Sequence, residues 1–463
     1  APILVSRFPA PRLVAVFAAL AAAAPLVAAW LGTARPRRRS IRLGAAGLAV
    51  LAAIALLSDP FESATQARRR TSLGVSGAIT RTVETPYERL DVAGLGPDRS
   101  QVTILGNGAI VTVAPDPYGA GAILDLLLFQ HPDPSSVLVV GSSPPDAVRA
   151  AARHGAVDVT LGDFDPLVTT ELRSAFGAEE RTWMDRARLL PIDARAHLRD
   201  VPAATYDVVA LFPPDPVTAL ANRFYTREAF RDAARAVRPD GVFVLRLPWS
   251  ANVPDPATLA YGRSVVRALR ASFPRIVAMP GKDVLLFASQ DPATLTTDPG
   301  TLAERAVGRA GVDPRAYPPD FFAESFPAER TAELAALLGI GRDIHGPINE
   351  DLRPVAYLDR LLAHLTRGST DLATKQASWL PSLLARLAAL PVWAWLLPLF
   401  LAPLGARVLR RRRSRDTLQT AALAALVGGS GMALEMVLLV AYQVDTGRLY
   451  VGYAMLTGAF MLG

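Results

Sequence analysis

Long apolar runs near both ends of the chain are the feature that most limits its fold. A helix needs about 20 mainly apolar residues to cross the hydrocarbon core of a bilayer, which is roughly 30 Å thick. Five runs approach or exceed that length, at residues 13–31, 43–57, 387–406, 417–444 and 449–463. We therefore predict a multi-pass membrane protein whose polar middle segment folds as a separate domain.

The first and last of these runs need separate treatment. A signal peptide is the alternative for residues 13–31, but the length of the run and the second apolar run after a basic hinge argue against it. The last run, residues 449–463, would rise only about 22 Å as a helix. Because the chain also begins without Met, we expect it to be part of a longer protein.

Arginines cluster beside the predicted spans, at residues 35–42 and 407–415. Short arginine-rich loops tend to stay in the cytoplasm. Two spans separate these hinges, so the segment of residues 62–378 would lie on the other side of the membrane. Arg68 to Arg70 count against this placement, since they follow the second span closely. We expect a bacterial-type inner (cytoplasmic) membrane protein with an extracytoplasmic domain.

Composition excludes several functions. The chain has no cysteine, which rules out disulfides, thiolate metal sites and cysteine nucleophiles. The five histidines show no metal-ligand spacing, so we predict no metal site. The net charge is +7, yet the arginines are spread along the chain without forming a basic stripe, so we expect no nucleic-acid partner.

Strands and helices alternate over residues 135–290, which predicts a doubly wound parallel α/β sheet. Ligands of such sheets bind beyond the carboxyl ends of the strands. The predicted strands are 136–140, 157–161, 189–192, 206–211, 242–247, 276–278 and 283–288, and the predicted helices are 145–153, 226–237 and 256–272.

Four further segments complete the predicted organisation. Residues 1–61 hold two transmembrane helices, and residues 379–463 hold the rest. Residues 62–134 form a small antiparallel β-domain, marked by the hairpin turn at Gly106-Asn107-Gly108. Residues 291–378 form a Pro-rich and helical cap and tail, with a helix over residues 324–338. Residues 351–354, which begin with Asp351, are expected to dock the tail on the core by an ion pair and a rigid turn, and contact with a ligand is the alternative.

The middle segment carries six motifs in a fixed order: TPYERL (85–90), VTLGDFDPLV (159–168), PIDARAHL (191–198), YDVVALFPPDP (206–216), FYTREAF (224–230) and RPDGVFVLRL (238–247). In their order and spacing these motifs resemble the spermidine synthases, which are polyamine aminopropyltransferases with an N-terminal β-domain and a Rossmann-like methyltransferase core. Two later motifs, PINEDLRPVAYL at residues 347–358 and GSGMALEMVLLVAYQ at 429–443, resemble the membrane-bound spermidine synthase-like branch.

The resemblance implies a binding site for decarboxylated S-adenosylmethionine. Asp163 matches the acid that binds the ribose hydroxyls, and Asp193 with Ala194 matches the pair that binds the adenine amine. Gly141 and Ser142 lie in the turn that approaches the nucleoside. The alternative for both aspartates is that they only cap helices.

This sequence departs from the family at the residues that carry the chemistry. The glycine-rich turn GGGDG is replaced by residues 141–145, GSSPP, and each proline lacks an N–H donor. Phe212 occupies the position of the aspartate that takes a proton from the attacking amine, and a phenyl ring cannot accept a proton. Asp215, three residues on, is the remaining catalytic candidate.

The polyamine pocket is reduced as well. Val111 and residues 120–122 replace polar positions of the family, and residues 279–286 replace the loop that presents a tyrosine. Asp116 and Tyr118 remain as substrate candidates. We therefore expect a degenerate site with a binding or scaffolding role related to polyamines or small cations. One alternative is an active membrane-anchored aminopropyltransferase or methyltransferase that uses decarboxylated S-adenosylmethionine or S-adenosylmethionine. Another is a transporter-like membrane unit that uses the domain as a polyamine or small-cation sensor.

Glu435 is a candidate inside the membrane, because an acid within an apolar run is a functional candidate by default. The alternative is a packing residue beside Gly428, Gly429 and Gly431, whose small faces favour close helix contact. The expected partners are the lipid bilayer and a polyamine or other small molecule. A homo-oligomer remains open.

Overall fold

The computed structural model describes residues 78–95, 101–249, 254–342 and 345–367, together with isolated positions near residues 64–68 and 428–443. The chain divides into two compact units, residues 1–111 with 448–463, and residues 112–447. The five predicted membrane runs lie outside the described residues, apart from isolated positions that include Glu435, which is helical and partly buried. Among the residues that are described, none of the helices has both the length and the apolar character to cross a bilayer.

A four-stranded antiparallel sheet precedes the core, with the order β1-β2-β3-β4. The hairpin turn between β3 and β4 is where the sequence placed it. Asn107 and Gly108 have φ values of 51° and 84°, as a two-residue turn that matches the strand twist requires. The strands are β1 (Ala78–Glu84), β2 (Arg89–Leu95), β3 (Gln101–Gly106) and β4 (Ala109–Ala114).

The core is a seven-stranded sheet in the order β10-β11-β9-β8-β5-β6-β7. β5 lies inside the sheet and pairs in parallel with both β6 and β8, so the chain order reverses beside β5. β11 pairs antiparallel with β9 and β10. This is the predicted Rossmann-like α/β fold. The strands are β5 (Ser136–Val140), β6 (Asp158–Gly162), β7 (Arg188–Leu189), β8 (Tyr206–Leu211), β9 (Val237–Leu247), β10 (Arg275–Met279) and β11 (Val284–Ser289).

Helices cover both faces of the core sheet. Apolar side chains from the two faces form two buried clusters, one against each face. The helices in this region are α1 (Ala122–Leu128), α2 (Pro144–Arg153), α3 (Pro166–Ala175), α4 (Ala178–Met184), α5 (Ala194–Asp200), α6 (Ala219–Asn222), α7 (Arg227–Ala236) and α8 (Pro256–Arg270).

The cap and tail follow the sheet. The Pro-rich segment folds, and Phe322 is fully buried within it. The helix predicted over residues 324–338 is confirmed for residues 328–338, whereas Phe326 and Pro327 separate it from the preceding helix. The helices are α9 (Pro299–Val307), α10 (Pro319–Ser325), α11 (Ala328–Leu338) and α12 (Val355–Arg367). α12 packs along α8. A second difference is that β9 begins at Val237, five residues earlier than predicted, because Val237 already pairs with Tyr206.

Candidate functional site

The carboxyl ends of β5, β6 and β8 bring three predicted site positions together. Gly141 follows β5, and its N–H donates to the carbonyl of Gly162 at the end of β6, at 3.2 Å. Phe212 follows β8, and its N–H donates to the carbonyl of Val140 at 2.9 Å. The three strand ends therefore lie together in one region, called the crevice below, where the strand order reverses.

The turn after β5 requires a glycine. Gly141 has φ +72°, and a Cβ at this position would lie 2.5 Å from the ring of Phe164 and 2.8 Å from the carbonyl oxygen of Phe212. Pro144 and Pro145 form the first residues of α2 and remove two N–H groups from its first turn. This helix start therefore offers fewer donors to a ligand than an ordinary one.

The first turn of α2 has an internal function. Buried Asp146 accepts a hydrogen bond from the Ser143 hydroxyl and another from the N–H of Asp116, at 2.6 Å. Arg149 lies 3.6 Å from its other oxygen. The Asp146 carboxylate thus fastens the Asp116 turn to the core.

The two substrate candidates lie in that turn. The Asp116 carboxylate accepts from the N–H groups of Gly119 and Ala120, both at 3.0 Å, and so caps its own turn. The Tyr118 side chain projects outward, with Tyr118 95% exposed. Their predicted roles toward a substrate stay predictions.

Asp163 lies buried at the end of β6. Its Oδ1 accepts from the N–H of Phe164 at 2.7 Å, and its carbonyl accepts from the N–H of Ala194 at 3.2 Å. The latter bond ties the end of β6 to the start of α5. Asp163, Asp193 and Ala194 therefore occupy one corner of the crevice.

Asp193 caps α5 and has a buried cation as partner. Its Oδ1 accepts from the N–H of Arg195 at 2.9 Å, and the guanidinium of Arg223 forms an ion pair with the same oxygen. Asp193 is 4% exposed and Arg223 is 1% exposed. The sequence analysis missed Arg223, although an arginine between apolar and aromatic residues in ALANRFY is a signal for a buried cation.

Aromatic rings line the same corner. The rings of Phe164 and Phe224 meet edge to face with their centroids 4.5 Å apart, and the Arg223 guanidinium lies 5.1 Å from the centroid of Phe224. All three side chains are buried, as is Phe212. The protein's own side chains therefore fill space next to Gly141 and Asp193.

Asp215 is held by the tail helix α12. Its two oxygens lie 2.6 Å from Nε of Arg360 and 2.9 Å from Nε2 of His364. Burial lowers the pKa of Arg360, but the hydrogen bond and the charge of Asp215 outweigh burial, and the net effect is a raised pKa. Asp215 thus serves as the counter-ion of a permanently charged arginine.

The backbone before Asp215 is fixed by Tyr225. Burial raises the pKa of its phenol well above the usual value, so the hydroxyl stays protonated. It donates to the carbonyls of Pro213 and Pro214, at 3.2 and 3.0 Å. Arg246 also donates to Pro213, at 2.9 Å. The loop that carries Asp215 is therefore held rigidly.

The predicted docking of Asp351 is confirmed. Its oxygens lie 2.9 and 2.7 Å from the two terminal nitrogens of Arg195 on α5. The tail therefore contacts the helix that begins at the Asp193 cap.

A pocket of about 530 Å³ lies elsewhere, at the β10 edge of the sheet. Ile276, Phe326, Ala332 and Ile340 contribute to its mainly apolar wall. No predicted site residue lines it. Within the described parts of the chain, no group of three or more His, Asp or Glu side chains could hold a metal ion.

Residues 120–250 match the family model for the spermine/spermidine synthase domain. The chain is 33% identical over 122 residues to spermidine synthase 1 of Hyoscyamus niger, which covers 26% of this chain and 38% of that protein. It is 29% identical over 178 residues to the polyamine aminopropyltransferase of Moorella thermoacetica, which covers 37% and 62%.

A crystal structure of a spermidine synthase in complex with the transition-state analogue AdoDATO aligns with 57% of this chain and 88% of that chain, at 19% identity and a TM-score of 0.45. The sequence matches span less than two thirds of either of the two relatives named above. The chain carries a spermidine synthase-like domain, and the crevice residues on β5, β6 and β8 lie within the matched region.

Proposed function

We propose that this chain is a membrane-anchored protein whose spermidine synthase-like domain binds or scaffolds without catalysing aminopropyl transfer. The observation that carries the proposal is the buried ion pair between Asp193 and Arg223. In spermidine synthases the residue at the Asp193 position binds the adenine amine. In this chain an arginine of the protein already neutralises that carboxylate.

The ion pair opposes binding of an adenosyl cofactor. An adenine amine that displaced Arg223 from Oδ1 of Asp193 would have to break this buried ion pair. Separating such a pair costs about 3–5 kcal/mol. This cost alone would weaken cofactor binding by a factor of roughly 10² to 4 × 10³.

The catalytic end of the crevice supports the same conclusion. Phe212 stands at the position of the usual base, and Asp215 is paired with Arg360 and His364. A phenyl ring cannot accept a proton, and both oxygens of Asp215 already contact side chains of the tail helix. In the described crevice, neither Phe212 nor Asp215 therefore presents an unoccupied proton acceptor to an amine.

The membrane location is the second part of the proposal and rests on the apolar runs and the two arginine hinges. We place the chain in a bacterial-type inner membrane with its domain outside the cytoplasm. The bilayer is one partner, and a polyamine or another small cation is the proposed ligand, with homo-oligomers compatible with this role. Reporter fusions at residue 410 and at a loop of the domain test the topology, and a cytoplasmic readout for the domain would refute it.

An active transferase is the second candidate. It is favoured by the buried Asp163 and by the relatives, which are named as spermidine synthases or aminopropyltransferases. In that case decarboxylated S-adenosylmethionine, or S-adenosylmethionine for methyl transfer, would bind against Asp163.

One experiment separates the two candidates. The full chain in detergent is incubated with putrescine and decarboxylated S-adenosylmethionine, and spermidine is measured by mass spectrometry. The non-catalytic proposal predicts no spermidine above the level of the Asp163→Ala variant. Turnover that requires Asp163 would establish the transferase, and spermidine or putrescine alone is added in parallel to detect thermal stabilisation by the proposed ligand.

A further inference from the structure

The tail, residues 347–367, contacts the chain on both sides of Arg223. Asn349 is fully buried, and its Nδ2 donates to Oδ1 of Asn222 at 3.1 Å and to the carbonyl of Tyr225 at 2.9 Å. Its carbonyl accepts from the N–H of Arg227 at 2.9 Å. Asn222, which precedes Arg223, and Tyr225 and Arg227, which follow it, are thus hydrogen-bonded to Asn349.

Asp351 connects the tail to the main chain of Arg223 through Arg195. The Thr226 hydroxyl donates to Asp351 at 2.6 Å, and Arg195 binds both oxygens of Asp351. The Arg195 nitrogen Nη1, which binds Oδ1 of Asp351, also donates to the carbonyl oxygen of Arg223. Asp351 therefore orients the guanidinium of Arg195 that binds the backbone of Arg223.

The far end of the tail holds the start of the same segment. Arg360 and His364 lie one helical turn apart on α12 and bind the two oxygens of Asp215. The segment from Asp215 to Arg227 is therefore attached to the tail at its beginning and its end, with Arg223 between the attachments. Three of these contacts are charge-assisted, the stronger kind of hydrogen bond.

We propose that the tail is a latch that keeps Arg223 on Asp193, and that releasing the tail exposes the Asp193 carboxylate to the amino group of an adenine nucleoside. This inference rests on the proposed function, because it assumes that the closed crevice excludes the cofactor. In the latched form the Asp193 carboxylate is paired with Arg223. In the released form it accepts a hydrogen bond from the adenine amino group. The crevice is then a regulated site, and the tail is its control element.

The latch hypothesis predicts an effect of tail variants that simple packing of the tail does not predict. If the tail only covers the core, weakening Asp351 loosens the tail and leaves Asp193 and Arg223 paired. If the tail is a latch, the effect travels from Asp351 through Arg195 to Arg223 and Asp193. Backbone amides at residues 193–196 and 222–226 then open together.

The test is hydrogen exchange on the full chain in detergent, with the variant Asp351→Asn and a second variant, Asn349→Ser. Asp313→Asn is the matched control, because Asp313 is an exposed acid that caps a short turn outside the tail. We expect exchange at residues 193–196 and 222–226 to rise about tenfold in both tail variants, since Asp351→Asn loses a charge-assisted hydrogen bond and Asn349→Ser loses buried ones. The control is expected to match the wild type.

Binding supplies the second readout, with 5′-deoxy-5′-methylthioadenosine as the probe in equilibrium dialysis. Because apparent affinity scales with the fraction of open molecules, we expect the apparent Kd to fall by about the same factor as exchange rises. Faster exchange confined to residues 347–355 in both variants would overturn the latch. Tight probe binding to the wild type would instead refute the closed crevice of the proposed function, whatever the exchange pattern.

Discussion

Asp351 and Arg195, 156 residues apart in the chain, form a two-point ion pair with oxygen–nitrogen distances of 2.9 and 2.7 Å. Both groups are largely shielded, and Arg195 also contacts the carbonyl of Arg223. The pair joins a tail segment to the helix whose first turn is capped by Asp193. The described tail is therefore part of the site's architecture.

The first prediction concerns this pair. We expect Arg195→Met to lower the free energy of unfolding by about 2–4 kcal/mol, because Asp351 and the Arg223 carbonyl lose their shared donor. The matched control is Arg199→Met on the same helix, whose side chain is half exposed. It should change stability by less than about 0.5 kcal/mol. Chemical denaturation of the full chain measures both, and equal effects would contradict the assigned role of Arg195.

The second prediction concerns Asp193 and Arg223. Each single variant, Asp193→Asn or Arg223→Met, leaves one buried charge without its partner and should cost about 3–5 kcal/mol. The double variant removes both charges and should cost clearly less than the sum. A double-mutant cycle by chemical denaturation measures the coupling, for which we expect at least about 2 kcal/mol. Additive losses would mean that the two side chains are not paired in the folded protein.

The third prediction concerns the turn after β5. In Gly141→Ala the new methyl group would meet the Phe164 ring and the Phe212 carbonyl, and the backbone would keep a left-handed conformation. We expect a loss of about 2–4 kcal/mol in stability. Gly177→Ala is the control, since Gly177 has φ −67° and no atom within 4 Å of the added Cβ. Thermal unfolding compares the two, and an unchanged Tm for Gly141→Ala would show that the turn is not packed as described.

The fourth prediction concerns pH. Burial raises the pKa of Asp359 on α12 to about 6, although Arg267 acts in the opposite direction. Between pH 4 and 6 the folded state therefore binds more protons than the unfolded state, so this carboxyl lowers stability as pH rises through that window. Asp359→Asn should be more stable than the wild type by about 1–3 kcal/mol at pH 8 and equal to it near pH 3.5.

Denaturation curves at the two pH values provide the measurement. Asp158→Asn serves as the control, because Asp158 is exposed at the start of β6. A constant difference between Asp359→Asn and the wild type across this range would show that Asp359 does not titrate with a raised pKa.

Much of the scaffold could be predicted from local patterns. Apolar runs of four to six residues separated by helical segments indicated β5, β6 and β8, and strand pairing then placed Gly141, Asp163 and Phe212 at one edge. The Asn107–Gly108 turn was visible because its two residue types tolerate positive φ. These features depend on neighbours in the sequence.

The partners of the site residues could not be predicted in this way. Arg223 lies 30 residues from Asp193, and Arg360 lies 145 residues from Asp215. A charged side chain indicates that a counter-ion is needed when it is buried, but the choice among 49 basic residues depends on the packing of distant helices. The ion pair of Asp351 was foreseen as a type of contact, whereas Arg195 as its partner was not.

The central claim is that Arg223 and the surrounding aromatic side chains close the crevice to an adenosyl cofactor. Equilibrium dialysis of the full chain with radiolabelled decarboxylated S-adenosylmethionine tests it most directly. We predict no saturable binding to the wild type up to about 100 µM ligand, equivalent to a binding free energy weaker than about −5.5 kcal/mol. Saturable binding at micromolar concentration that disappears in Asp163→Ala would contradict the account.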